Sequence, residues 1–263
     1  ESPGSSLDAV PTADGSARAL REARLLAGLN HRGLPRVHDV LLDERGPVLV
    51  LEAVNGETLA SRLERSGPLD AAEIRRLALD LASALAAVHG ARGVHRALST
   101  RNVVIRQDGS AFLRGFRFAK FVAPGQGFSS IAAGRSRAAG SAEQRDARTT
   151  NPAPEQFGGD VTPRTDIYAA GLLLWEALVG RSPFDDVDSG GELVARVLVG
   201  VSVAPSSHRP GVPPVLDAIV ARALAVSPSK RFGTAAEMAQ ALEAAALVAS
   251  RTAVAASVNG LAG

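Results

Sequence analysis

No cysteine occurs among the 263 residues, which excludes disulfides, thiolate zinc sites and cysteine nucleophiles and fits a cytoplasmic chain. Lysine is nearly absent too. Lys120 and Lys230 are the only two, and arginine supplies the rest of the 29 cationic side chains. A guanidinium stays charged when buried, so this skew does not by itself imply a nucleic-acid partner. The arginines are scattered among acids instead of clustering with aromatics, and nucleic-acid binding is not expected. No apolar run of about 18 residues occurs, and no charged n-region with an apolar h-region opens the chain. Neither a membrane span nor a signal peptide is therefore expected, and any membrane tether would run through a parent protein. The numbering starts at Glu1 and the only methionine is Met238, so the sequence is expected to begin inside a longer protein.

What is present is enough for a full core, because 46% hydrophobic residues over this length can fill one large domain or two small lobes. The central stretch is Thr165 to Gly180, TDIYAAGLLLWEALVG, which is apolar on nearly every face between Ile167 and Val179. A helix of that kind must be buried, and it is too short for the roughly 20 residues that a bilayer requires. Thr165 or Asp166 can cap its start, and Gly180 can end it in a left-handed conformation.

Ahead of it, residues 1–16 read as linker or frayed edge. ARALREARLLAGL from Ala17 to Leu29 places Leu20, Leu25, Leu26 and Leu29 near one helix face after a cap at Ser16. VLVLEA from Val48 to Ala53 reads as a strand, followed by a turn at Asn55-Gly56. Leu69 to His89 reads as an amphipathic helix with Ile74, Leu77, Leu81, Leu85 and Val88 inward, and His89 is assigned only a capping or packing role. Asp108-Gly109 marks a hairpin turn. Phe121 to Thr150 shows no period, Val212 to Leu224 and Thr234 to Leu247 read as two closing helices, and residues 248–263 read as a flexible tail.

DIYAAGLLLWEALVGRSPF resembles the central helix and following turn of the bacterial Hanks-type (eukaryotic-like) Ser/Thr protein kinases. VHRALSTRN, GFR, APEQ and KRF match further motifs of that family in the right order. The resemblance covers roughly residues 17–247. It implies an α+β fold with two lobes: a reduced N-lobe over 17–53 and a mainly helical C-lobe over 54–247, with a long activation-like segment over 118–152. It also gives structural roles to His95, Arg96 and Phe116, to Asp166 as the holder of the catalytic loop, and to Glu155 and Arg231 as an ion pair. Glu22 matches the helix glutamate that pairs with the nucleotide-binding lysine, and is also readable as an exposed helix charge beside Arg21 and Arg24.

The positions that carry chemistry in this family are altered. The frame H-R-D-x-x-x-x-N reads His95-Arg96-Ala97-Leu98-Ser99-Thr100-Arg101-Asn102, so the base position is Ala97, and a methyl group accepts no proton. The D-F-G frame reads Gly115-Phe116-Arg117, which removes the metal carboxylate and leaves Asn102 as a weak ligand for nucleotide and magnesium. No lysine precedes Lys120, and no G-x-G-x-x-G loop precedes Glu22. Arg117 can stand in for the metal's charge, pair with Glu22, or be solvated together with Arg114.

These features predict a pseudokinase, not an enzyme, that uses no cofactor and no metal and binds ATP with magnesium weakly or not at all. The resemblance also reaches the actinobacterial cell-wall pseudokinase attached to MviN-type lipid II flippase-like proteins. It implies a cytoplasmic scaffold tethered through a parent protein and modified by an active Ser/Thr kinase. Thr252, Thr149 and Thr150 are the candidate phosphoacceptors, read by a forkhead-associated partner. The alternative is a Ser/Thr protein kinase that uses ATP with substitute residues.

Overall fold

A computed structural model describes residues 20–245 apart from residues 21, 44–45, 122–150 and 159–160. Helix α1 runs through residues 22–27 and buries Leu25 and Leu26 in the main core, whereas Leu20 stays 40% exposed, outside the apolar face expected for it. Two antiparallel strands follow, β1 (Val37–Asp43) and β2 (Gly46–Leu51), in a register that pairs Val40 with Leu49. The strand expected over Val48 to Ala53 thus starts earlier and stops at Leu51.

β3 (Gly56–Thr58) leads directly into α2 (Leu59–Ser66), capped by the Thr58 hydroxyl, which accepts from the Ser61 N–H. Gly56 is a strand residue facing Arg106, not the turn expected from Asn55-Gly56. A Cβ there would lie 2.3 Å from the Ile105 carbonyl oxygen, so the glycine serves close strand approach.

The C-terminal lobe is built on two helices. α3 (Ala71–Gly90) starts with a reciprocal capping box between Asp70 and Glu73 and buries Ile74, Leu77, Leu81, Leu85 and Val88. After β4 (Gly93–Val94), strands β5 (Val103–Arg106) and β6 (Ala111–Leu113) join β3 in a three-stranded sheet in the order β3-β5-β6. The Asp108-Gly109 turn is present, with Gly109 at φ +76° and the Ser110 N–H donated to Asp108. β7 (Lys120–Phe121) returns to pair with β4.

α4 (Pro163–Val179) is the all-apolar helix, and every residue from Thr165 to Trp175 is buried. Its cap is Thr162, not Thr165 or Asp166: Pro163 at the first helical position has no N–H to satisfy, and the Thr162 hydroxyl accepts from Arg164. Gly180 ends the helix at φ +89°, as the sequence suggests. α5 (Gly190–Val199), α6 (Pro205–His208), α7 (Pro214–Ala223) and α8 (residues 235–245) complete the lobe, with α6 and α7 packed against α4. A small strand-bearing N-lobe on a helical C-lobe is the α+β arrangement expected. Among the described residues, no helix is long and apolar enough to cross a membrane.

Candidate active site

Asp166, on the first turn of α4, is completely buried and organises the loop above it. Its Oδ2 accepts the His95 N–H at 2.8 Å and its Oδ1 accepts the Arg96 N–H at 2.8 Å. A third donor is one the sequence did not reveal: His89 Nε2, at the end of α3, donates to Oδ2 at 2.8 Å. Burial works against the charged carboxyl, but the His89 hydrogen bond, the neighbouring imidazoles and the Arg96 amide outweigh it and hold its pKa below the usual carboxylate range. His89 is therefore a working part of the anchor, not mere packing.

The clamp fixes an unusual backbone. Arg96 sits at φ +68°, a left-handed conformation that persists where surrounding bonds over-determine it, and Asp166 provides that determination. His95 is buried and hydrogen-bonded on both ring nitrogens: the Ala97 N–H donates to Nδ1 at 3.2 Å, and Nε2–H donates to the Arg114 carbonyl at 3.1 Å. That pattern is the neutral tautomer, in accord with burial lowering its pKa. Phe116 packs edge-on against the His95 ring, with centroids 4.5 Å apart, and belongs to the core.

Ala97 is buried at 1% exposure, and its carbonyl accepts the Asn102 Nδ2–H at 2.7 Å. The Nδ2–H side of this amide thus closes the loop on itself, while the metal-binding atom of the frame would be Oδ1. Gly115, at φ +86°, lies against the same side chain: a Cβ on it would come within 2.6 Å of Asn102 Oδ1. Glycine is required there on both counts, and the space for a carboxylate is filled.

Arg117 contributes backbone to the short 3₁₀ turn Phe116–Phe118, and its side chain lies outside the described residues. Glu22 is half-buried on α1 and not a fully exposed helix charge. Among the described residues no group of three or more His, Asp or Glu side chains could hold a metal ion. The residues present do not fit a resident divalent cation, because the carboxylate position is glycine and Asn102 Oδ1, the amide oxygen its Nδ2–H bond leaves open, is one neutral ligand where a hard cation needs several oxygens.

The second anchor is the Glu155–Arg231 pair. Arg231 Nη1 and Nη2 reach the two carboxylate oxygens of Glu155 at 2.8 Å each. Its other donors go to the carbonyls of Ala225, Arg164 and Val226 at 2.7, 2.8 and 3.0 Å, so all five N–H groups are satisfied at 2% residue exposure. The guanidinium also lies 4.8 Å from the centre of the Tyr168 ring. Gln156 continues the link to the loop by donating to the Arg96 carbonyl at 3.3 Å.

Two polar groups in this region were not anticipated. Glu176 on α4 accepts the Thr100 hydroxyl at 3.1 Å, and burial pushes its carboxyl up to about 7. Ser99 is buried, and its hydroxyl has no hydrogen-bond partner among the described residues. Thr149, Thr150 and Thr252 lie outside the described residues.

The loop anchored on a buried helix aspartate, the Glu155–Arg231 pair and the two-lobe fold decide the family. The chain belongs to the protein kinase domain family, which it matches over residues 8–244. It is 34% identical to the serine/threonine-protein kinase PknH of Mycobacterium tuberculosis over 225 residues, which is 85% of this chain and 34% of that protein. Similarity to PknL from the same organism is 33% over 226 residues, covering 86% of this chain and 53% of PknL. For PknD it is 32% over 227 residues, covering 85% of this chain and 32% of PknD.

The chain thus spans between about a third and half of the length of these relatives. They correct one expectation. Ala97, Gly115 and the missing lysine led to the reading that the chain is not an enzyme, but relatives matched across most of it are named as Ser/Thr protein kinases.

Proposed function

We propose that this domain is a Ser/Thr protein kinase that moves the γ-phosphoryl group of ATP to a serine or threonine hydroxyl of a protein, using substitute residues. The observation that carries the reading is family membership across nearly the whole described fold, together with the intact loop anchor at Asp166. In this transfer the acceptor oxygen bonds to the γ-phosphorus, the bond to the bridging oxygen breaks, ADP leaves, and the hydroxyl proton is lost to water. The transition state is loose, so positioning and electrostatics carry most of the rate.

The chain supplies positioning through Asp166, His95 and Arg96, and a loop brace through Asn102. It supplies no carboxylate at residue 97 to orient the acceptor. Loss of a positioned base costs about 10²- to 10⁴-fold, so turnover should be slow. Ser99, two positions after Ala97, is the first polar substitute in the loop, with its hydroxyl unpartnered among the described residues. The test is transfer of radiolabelled phosphate from ATP to myelin basic protein by the domain expressed in a kinase-free host. Slow incorporation that falls further in Ser99→Ala supports the reading. Incorporation equal to that of a heat-unfolded sample over long incubation overturns it.

A binding role is the second reading, favoured by the methyl and the hydrogen at residues 97 and 115. In it, an upstream Ser/Thr kinase phosphorylates Thr252, Thr149 or Thr150, and a forkhead-associated partner reads the phosphate. The parent protein would place the domain at the inner membrane face, as in the MviN-type cell-wall proteins. Affinity of such a partner before and after treatment with a cognate kinase decides it. Equal affinity in the wild type, in Thr252→Ala and in the variant changed at Thr149 and Thr150 removes phosphorylation from the mechanism.

A further inference from the structure

A cleft of about 400 Å³ lies away from the loop just described, and none of His95, Ala97, Asn102 or Gly115 lines it. Its wall is mostly polar and draws on separate parts of the fold. His31, Arg32 and Arg36 come from the connection between α1 and β1, Glu52 to Asn55 from the link between β2 and β3, and Arg106 from the end of β5. Three arginines therefore line one opening whose lining holds a single carboxylate, Glu52.

The three are held in different ways. Arg32 Nη2 is tied to Asp80 Oδ1 on α3 at 3.0 Å while its side chain remains 78% exposed. Asp80 does not line the cleft, and its other oxygen is occupied by the Ala111 N–H at 2.9 Å. Arg106 is fixed by stacking, with its guanidinium carbon 4.4 Å from the centre of the Phe112 ring. Arg36 touches Glu52 only through its backbone N–H, at 3.3 Å, and its guanidinium has no partner among the described residues. Two held cations and one free to swing suit a tetrahedral dianion, since guanidinium forks match its oxygens and a partly fixed set costs less ordering on binding.

His31 does not compete for the ligand. Its Nδ1 accepts the Gly33 N–H at 3.1 Å and its Nε2 meets the Ser83 hydroxyl at 2.9 Å, so both ring nitrogens are used. The one ring in the lining is the His31 imidazole, already held through both nitrogens, and the cleft opens to the surface where a chain can lie across it. Asn55 is exposed at its edge and offers a carboxamide. Glu52, the one anion, suits a basic side chain next to the ligand's negative group.

We propose that this cleft binds the phosphate monoester of a phosphorylated serine or threonine within a peptide segment, through Arg32, Arg36 and Arg106. The phosphate brings about −1.5 to −2 charge at neutral pH, which Arg36 and Arg106 can answer while Arg32, paired with Asp80, adds a further donor. The proposal goes beyond the transfer reading and does not require it, because none of the residues is shared with the loop site.

The experiment is fluorescence anisotropy with a short labelled peptide carrying one Arg-phosphothreonine pair, its unphosphorylated twin, and inorganic phosphate and AMP as competitors. The phosphopeptide is expected to bind at least about tenfold more tightly than its twin, to weaken as salt rises from 50 to 300 mM, and to resist displacement by AMP. Arg36→Ala should lower the affinity about tenfold or more. It is the informative variant, because its side chain holds nothing in place and the fold survives its loss. Arg106→Ala should do the same, with circular dichroism checking that loss of the Phe112 stack has not unfolded the sheet.

Ser99→Ala should leave peptide binding unchanged even where it alters transfer, which separates failure of this proposal from failure of the kinase reading. Equal affinity for the two peptides, unaltered binding by Arg36→Ala, or binding of AMP without the peptide would each overturn the proposal.

Discussion

Beneath the loops, Asp166 and Arg231 are buried and each makes a full set of polar contacts; in the loops they hold, residue 97 is a buried methyl and residue 115 carries only a hydrogen. The two regions meet in the fold, where Asp166 holds the His95 and Arg96 amides next to Ala97, and they obey different constraints. A buried charge must be answered completely or the fold loses several kcal/mol, so the anchor cannot drift one residue at a time. A carboxylate that serves only the transfer holds nothing together, and replacing it costs chemistry while leaving the anchor intact. Asn102 shows the boundary between the regimes, since its amide closes the loop on the Ala97 carbonyl and fills the room beside Gly115.

The comparison breaks most decisively at Arg231. Removing it in Arg231→Ala strands the Glu155 carboxylate and three carbonyls that it satisfies, and a broken buried pair costs about 3–5 kcal/mol. Urea denaturation should show that loss, or no cooperative transition at all. A shift under about 1 kcal/mol would mean that the pair does not anchor the lobe.

Next in size is Asp166→Asn, which keeps the shape but removes the charge that receives His89, His95 and Arg96. Charge-assisted bonds are the strong ones, so a loss of about 2–4 kcal/mol is expected. Hydrogen exchange at the His95 and Arg96 amides should quicken more than exchange in α7. Uniform quickening across both would mean that the carboxylate stabilises the lobe generally and does not hold this loop.

Much of the anchor was legible in the sequence, because motif order carries it: Ala153-Pro154-Glu155, Asp166 and Arg231 sit where the kinase pattern puts them, and the structure brings them together. What was not legible depends on contacts far apart in the chain. His89 and Asp166 are 77 residues apart, and nothing local in a histidine at a helix end indicates its partner. The cap moved from Thr165 to Thr162 because Pro163 fits a first helical position, and Gly56 serves strand approach because the Ile105 carbonyl crowds it. Gly115 is glycine for the left-handed turn and for Asn102 together, a constraint that only three-dimensional packing reveals. The cationic cleft has no signature in the sequence because its arginines are scattered along the chain and line one opening only in the fold.

Glu176 sharpens the comparison from the other side, as a buried carboxyl in the loop region whose charge is not fully answered. Its ordinary pKa of 4.5 rises to about 7 in the folded protein, burial being the main cause. The folded state thus keeps this proton to higher pH than the unfolded chain does. The group's contribution is most favourable below about 4.5, declines as pH rises from 4.5 to 7, and is fully lost above 7. Glu176→Gln should therefore stabilise the protein at pH 8 by on the order of 2–3 kcal/mol relative to its effect at pH 4. Thermal or urea unfolding at the two pH values measures it, and a pH-independent difference would show that the carboxyl is not desolvated.

The smallest effect tests whether the altered face is free to change back. Gly115→Asp places a side chain on a residue at φ +86° with its Cβ 2.6 Å from Asn102 Oδ1. The left-handed backbone and the contact together should cost about 1–3 kcal/mol. If the cost comes mainly from Asn102, trimming that neighbour recovers it. The Gly115→Asp, Asn102→Ala cycle should then show favourable coupling on the order of 1 kcal/mol in urea denaturation. Additive losses would place the strain in the backbone alone. A neutral Gly115→Asp would mean that the loop shifts readily, that the filled space beside Gly115 sets no constraint, and that the metal carboxylate could return in a single step.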